Sequence, residues 1–203
     1  MATRKTAKSR TARKARKPAL TPGTKRPPTR KAVGKSAARA RRAVKRKPQS
    51  IPKGYHTLTP YLVVKDAAAA LEFYARALGA KEKLRLAMPN GAVMHAEMKF
   101  GDSMLMLTEE NPAWGAKSPL TLGGSATHVM IYVRDVYAAF ARALANGCTA
   151  EMPVTNMFWG DRYGKLRDPF GHVWSIATHV EDVGPKETQR RADIEMAKMA
   201  ATG

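Results

Sequence analysis

The sequence predicts an α+β fold: two βαβββ modules forming a mixed, curved sheet around a cleft, preceded by a disordered basic tail. Three observations predict it. The order of elements after residue 56 runs twice, and the two runs register at an offset of 69, with Val64 on Val133, Asp66 on Asp135, and Leu105-Met106-Leu107 on Trp174-Ser175-Ile176. Self-similarity at a fixed period changes a fold assignment. The second run closes on Asp168-Pro169-Phe170-Gly171, a turn in which Asp bonds nearby backbone, Pro presets φ and Gly accepts φ > 0. Finally, the charge breaks sharply: residues 1–50 hold 19 Lys and Arg and no acid, whereas the remainder is close to neutral within a total of +20.

The tail, residues 1–50, is Lys, Arg, Ala, Thr and Pro, with Pro18, Pro22, Pro27, Pro28 and Pro48 interrupting any helix. Such a composition does not bury enough apolar surface to offset chain entropy, so disorder is expected. Its cations, among them Arg13, Lys14, Arg16, Lys17, Arg41, Arg42, Lys45, Arg46 and Lys47, are suited to the backbone of nucleic acid, an affinity that would be sequence-independent and salt-sensitive. The bland alternative is a solvated tail. By composition only, it resembles the tails of histone-like bacterial proteins.

In the first module, Leu58 to Val64 reads as a strand, and Asp66 caps a helix from Ala67 to Leu78 that buries Leu71, Tyr74 and Leu78 at spacings of three and four. Gly79 ends the helix. Strands follow at Lys81 to Met88, Ala92 to Phe100 and Ser103 to Thr108, the first two joined by Pro89-Asn90-Gly91. Glu109 to Ser125, rich in Pro and Gly, reads as a loop. The second module repeats the order: strand Thr127 to Val133, helix Val136 to Asn146 capped by Asp135, a strand near Thr149 to Val154, and a hairpin of Tyr163 to Arg167 with His172 to Thr178. Pro185 to Met199 reads as a terminal helix. The domain therefore spans 51–183, with modules at about 57–109 and 126–179, and the terminal helix occupies 184–203.

Cys148 is the sole cysteine, which excludes an internal disulfide and a Cys-based zinc site and suits a reducing cytoplasm. No stretch approaches the length of a membrane span, and Met1 to Lys17 lacks the apolar run of a secretory signal. A cytoplasmic, nucleoid-associated location is the expectation.

The blocks Pro60 to Asp66, Phe73-Tyr74, Leu78 to Ala80, Gly91 to His95, Gly101-Asp102, His128 to Asp135, Phe158 to Arg162 and Asp168 to Trp174 together resemble the vicinal-oxygen-chelate superfamily. Its members include glyoxalase I, bleomycin-resistance proteins and extradiol dioxygenases. The last two blocks are similar to its PhnB-like branch, and the resemblance covers about residues 56–183. It implies the glyoxalase/bleomycin-resistance fold, a homodimer, and four pocket positions that carry metal ligands in metal-dependent members. Those positions are Thr59, Met106, His128 and Ser175, and only His128 is a usual ligand, whereas a catalytic ion ordinarily takes three. No cofactor is expected. The reading that follows is a metal-free protein binding a compact, aromatic or oxyanionic molecule, with Thr59, Tyr61, Met106, His128, Phe158, Trp159, Arg162 and Ser175 at its site.

Beside it stands an enzyme reading, a lyase, isomerase or dioxygenase whose divalent metal is held by His128 with His95 or Glu97, His128 also being the candidate catalytic base. A third reading is an adaptor tethered to nucleic acid by the tail. Asp161 and Arg162 are expected to pair and fix the loop, and Arg162, if turned to the cleft, would favour an anion. His172 and His179 belong to no evident constellation, and the predicted partners include no membrane.

Overall fold

Asp66 begins the first helix as its sequence predicts: its backbone is extended and its Oδ1 accepts the Ala69 N–H at 2.8 Å. Helix α1 (Ala67–Leu78) then runs to Gly79, which sits at φ 75° and bonds back to Tyr74. The computed structural model describes residues 47–202. The tail residues Arg13 to Arg46 lie outside the described residues, and Lys47 is exposed.

Around α1 the first module lays down β1 (Tyr61–Val64), β2 (Lys81–Ala87), β3 (Val93–Phe100) and β4 (Ser103–Glu109) in the spatial order β1-β4-β3-β2. β1 is parallel to β4, and the other pairs are antiparallel. The segment expected as a plain loop carries a 3₁₀ turn (Pro112–Trp114) and a short helix α2 (Pro119–Leu122). Each has Pro in its opening turn, where a missing N–H costs nothing.

The second module repeats the topology with β5 (His128–Tyr132), α3 (Val136–Ala145), β6 (Thr149–Asn156), β7 (Asp161–Arg167) and β8 (Val173–His179), ordered β5-β8-β7-β6. Helix α4 (Pro185–Thr202) follows. Among the described residues, no helix is long and apolar enough to cross a membrane. The offset of 69 holds position by position in the side-chain acceptor that meets the first N–H of each helix. The Ala67 N–H bonds Glu109 Oε2, and the Val136 N–H bonds Thr178 Oγ1, both at 3.0 Å.

Each strand gives one face to the helices. Leu62, Val64, Ala96, Met98, Leu105 and Leu107 are buried on the helix side of the first sheet, and the register sets Tyr61 and Glu97 beside Met106 on the other. The modules meet through α1 and α3 and through one carboxylate. Asp168 Oδ1 accepts the N–H groups of Phe170 and His172, while Oδ2 accepts the Tyr74 hydroxyl and the Trp174 indole, both at 2.8 Å. Phe170 packs edge-on against Phe73 and Tyr74 of α1, and Trp174 stacks on Phe100. His172 Nε2 lies 3.1 Å from the Val63 carbonyl. The predicted turn is therefore also the seam between the duplicated halves.

Candidate functional site

The non-helical face of the first sheet carries a chain of polar groups. His95 and Glu97, two apart on β3, share that face as strand geometry requires. The Tyr61 hydroxyl lies 3.0 Å from His95 Nδ1, and His95 Nε2 lies 3.4 Å from Glu97 Oε1. Tyr55, ahead of β1, adds a phenol that burial, then the Glu97 carboxylate, pushes up to about 12. Beside this chain opens a cavity of about 560 Å³, lined by Tyr61, Met88, Met94, Glu109, Glu110 and Trp114 among others. Its size lies within the usual range for small-molecule sites.

The corresponding face of the second sheet is organised by Asp161, which is buried. Its carboxylate accepts the Tyr132 hydroxyl (2.9 Å) and the Trp159 indole (3.0 Å), and it pairs with His179 Nδ1 at 2.7 Å. Burial alone would raise this carboxyl, but the bonds from His179, Tyr132 and Trp159 outweigh it and hold it below the ordinary Asp value. Asp182, then Asp161, raises His179 above the ordinary imidazole value. Gly160 makes the arrangement possible: it sits at φ 99°, and a Cβ there would stand 2.1 Å from the Glu181 carbonyl. Only glycine tolerates both.

The predicted site residues are thus distributed. Tyr61 lines the first-module cavity. Thr59 precedes β1 and donates to the His56 carbonyl; Met106 lies between Tyr61 and Glu97 in register. His128 opens β5 and is exposed, and Ser175 is buried with its hydroxyl 2.7 Å from that of Tyr163. Trp159 packs on Phe158 and Tyr163. Phe158 lines a groove of about 620 Å³ with Met152 of β6 and Ile194 and Met199 of α4.

Arg162 faces the helices rather than a cleft: its guanidinium lies over the Tyr137 ring of α3, and its Nε donates to Asn156. The expected Asp161–Arg162 pair is not formed, because alternation along β7 sends neighbours to opposite faces. The duplication predicts a cleft lined by both sheets. Within one chain the two larger spaces belong to one module each, and those lined by both, about 220 and 300 Å³, follow the seam. Sequence reasoning missed Tyr55, Trp114, Tyr132 and the constellation at His179. Tyr55 and Trp114 lie outside strands, where no periodicity reports orientation.

Residues 55–176 match the family described as the glyoxalase/bleomycin resistance protein/dioxygenase superfamily. The chain belongs to this superfamily. An uncharacterized protein of Mycobacterium bovis is 42% identical over 135 residues, covering 65% of this chain and 89% of the relative. YwbC of Bacillus subtilis is 29% identical over 111 residues, covering 54% of this chain and 86% of its own. The crystal structure of a Pseudomonas aeruginosa protein has the same fold, with a TM-score of 0.50, 24% identity, and coverage of 61% of this chain and 98% of that one.

Metal-dependent members of the superfamily set a standard for the donor set, and these residues do not meet it. Thr59, Met106 and Ser175 bring neither imidazole nor carboxylate, and the Ser175 hydroxyl is engaged by Tyr163. Among the described residues, no three His, Cys, Asp or Glu side chains converge as a metal site would need. His128 is not gathered with His95 and Glu97. Cys148 is buried, and burial pushes its thiol up to about 12, far from a ligating thiolate.

Proposed function

We propose that this chain is a glyoxalase/bleomycin-resistance-like binding protein for small molecules, of the PhnB-like branch, working without the superfamily's usual divalent metal centre. The observation that carries the reading is the donor set: four ligand positions that offer one imidazole, His128, with no convergent trio among the described residues. The ligand site is the first-module cavity. Trp114 and Tyr61 supply aromatic faces there, Met88 and Met94 adaptable thioethers. Glu109 and Glu110 line it without any Lys or Arg, so an uncharged or cationic ligand with an apolar body fits better than an oxyanion. The oxyanion expectation rested on Arg162, which faces α3.

On this reading the working unit is a cytoplasmic homodimer. Support comes from β2, exposed along its whole length, and from Leu84, Leu86, Met130 and Tyr132, which a lone chain leaves open to water. Native mass spectrometry of untagged protein from cells tests ligand, metal and subunit number together. The expected species is a dimer, twice 22.2 kDa, carrying organic mass and no stoichiometric metal. Tightly held Zn, Ni, Mn or Fe that is lost on His128→Ala would establish the lyase, isomerase or dioxygenase reading instead.

A second reading concerns the tail alone and rests on its 19 cations without an acid: a nucleic-acid tether that holds the protein at the nucleoid. Removing residues 1–50 is expected to abolish DNA affinity, and the affinity of the full chain is expected to fall steeply between two salt concentrations. DNA binding unchanged by the deletion would remove the tether.

A further inference from the structure

The Tyr61–His95–Glu97 chain does more than decorate a sheet. A carboxylate only accepts hydrogen bonds, so Glu97 places the imidazole proton on the His95 Nε2 that faces it at 3.4 Å. Nδ1 is left with its lone pair. The group 3.0 Å from that lone pair is the Tyr61 hydroxyl, which must therefore be the donor. The two rings meet edge-on, 5.6 Å between centroids and 86° between planes, and the phenol lines the 560 Å³ cavity. The parallel pairing of β1 with β4 and the antiparallel pairing of β4 with β3 put Tyr61, Met106 and Glu97 in one row, so the sheet itself sets the alignment.

We propose that Tyr61, His95 and Glu97 form a proton relay that makes the Tyr61 oxygen an acid–base group for the ligand of the first-module cavity. Tyr61 is the residue that touches the ligand, His95 is the base behind it, and Glu97 positions the imidazole. The step is a proton transfer from a neutral hydroxyl or enol of the ligand. The ligand proton passes to the Tyr61 oxygen as the phenolic proton passes to His95 Nδ1. The electron pair stays on the ligand oxygen, and the imidazolium is held between Tyr61 and the Glu97 carboxylate. The ligand class is thus a weak oxygen acid, uncharged on entry, with an apolar body against Trp114 and Met94. This goes beyond binding, and its test does not depend on knowing the ligand.

The probe is an aryl sulfonyl fluoride, added to the full chain and read by peptide mass spectrometry. It reports the same arming: the Tyr61 oxygen bonds to sulfur, fluoride leaves, and the phenolic proton goes to His95. Tyr137 is the internal reference, since it is as exposed as Tyr61, 55% against 52%. Tyr61 is expected to react at least about tenfold faster than Tyr137, a threshold set below the roughly 10²–10⁴-fold ascribed to positioned bases. His95→Gln should bring it down to the reference rate. Glu97→Gln should lower the rate and also move the His95 ring nitrogens in long-range ¹H–¹⁵N spectra away from the Nε2–H tautomer, a readout that a purely structural carboxylate would leave alone. Circular dichroism establishes that each variant is folded. Equal rates at Tyr61 and Tyr137 in the unaltered protein, or a Tyr61 rate indifferent to His95→Gln in a folded variant, would overturn the relay.

Discussion

Asp168 shows how much one side chain can organise. Both carboxylate oxygens are filled by donors, two from its own turn and two from Tyr74 and Trp174, which are fully buried. Burial, then this carboxylate, holds the Tyr74 phenol well above its ordinary value, so it remains a donor. Asp168→Ala strands both aromatic donors away from water, and an unsatisfied buried donor costs about 1–3 kcal/mol. Urea unfolding of the variant is expected to show a loss of about 2–6 kcal/mol, the sum for the two donors.

A second residue-scale expectation concerns pH. Bonds to Asp182 and Asp161 raise the folded pKa of His179, so its contribution is complete below the ordinary imidazole pKa of about 6.5 and is lost as pH rises through the folded value. Asp161 is depressed, so its contribution is present above about 4 and is lost as pH falls through its folded value. Melting curves between pH 6 and 9 should show the protein losing stability on the alkaline side, and His179→Asn should flatten that loss.

At the scale of elements, the helices were the most legible parts. Asp66 and Asp135 each announce a helix, and each accepts the N–H three residues on, Ala69 and Ala138. Replacing either by Ala is expected to cost about 1 kcal/mol by thermal unfolding. The strands were legible from alternation, with ends displaced where another force acts. β1 starts at Tyr61 and not Leu58, since Pro60 offers no N–H to a ladder.

β7 starts at Asp161 and not Tyr163, because His179 and Tyr132 hold Asp161 against β8 and β5. This shift of two residues turned a predicted loop pair into strand neighbours on opposite faces. Gly164 carried no signal in the sequence, yet a Cβ there would stand 2.7 Å from the Phe140 ring of α3. Gly164→Ala is expected to cost about 1–3 kcal/mol through overpacking, and Phe140→Leu in the same chain should recover part of it.

At the scale of the whole molecule, duplication made the fold readable and left the site obscure. Periodicity told which face of β3 and β4 looks away from the helices. It did not tell that Tyr55 comes in from the segment before β1, or that the 3₁₀ turn at Pro112–Trp114 brings Trp114 to the rim of the first-module cavity. Both depend on chain outside the repeat. Static light scattering at micromolar concentration should return about twice the 22.2 kDa chain mass, and charge placed on the open sheet face, Leu86→Lys, should shift it toward the single-chain value. A single-chain mass for the unaltered protein would refute the dimer.

The offset that relates the halves also shows where they have stopped being copies. At the place of Asp168 the earlier half has Lys99, and at the place of Trp174 it has Leu105. Two successive copies of the earlier half would set a lysine ammonium, with the indole replaced by leucine, where the Tyr74 hydroxyl and two backbone N–H groups want an acceptor. The halves are therefore no longer interchangeable, and the Tyr74 phenol gains both its acceptor and the Phe170 and Trp174 rings packed on it only once the chain has reached the later half, 94 positions on at Asp168.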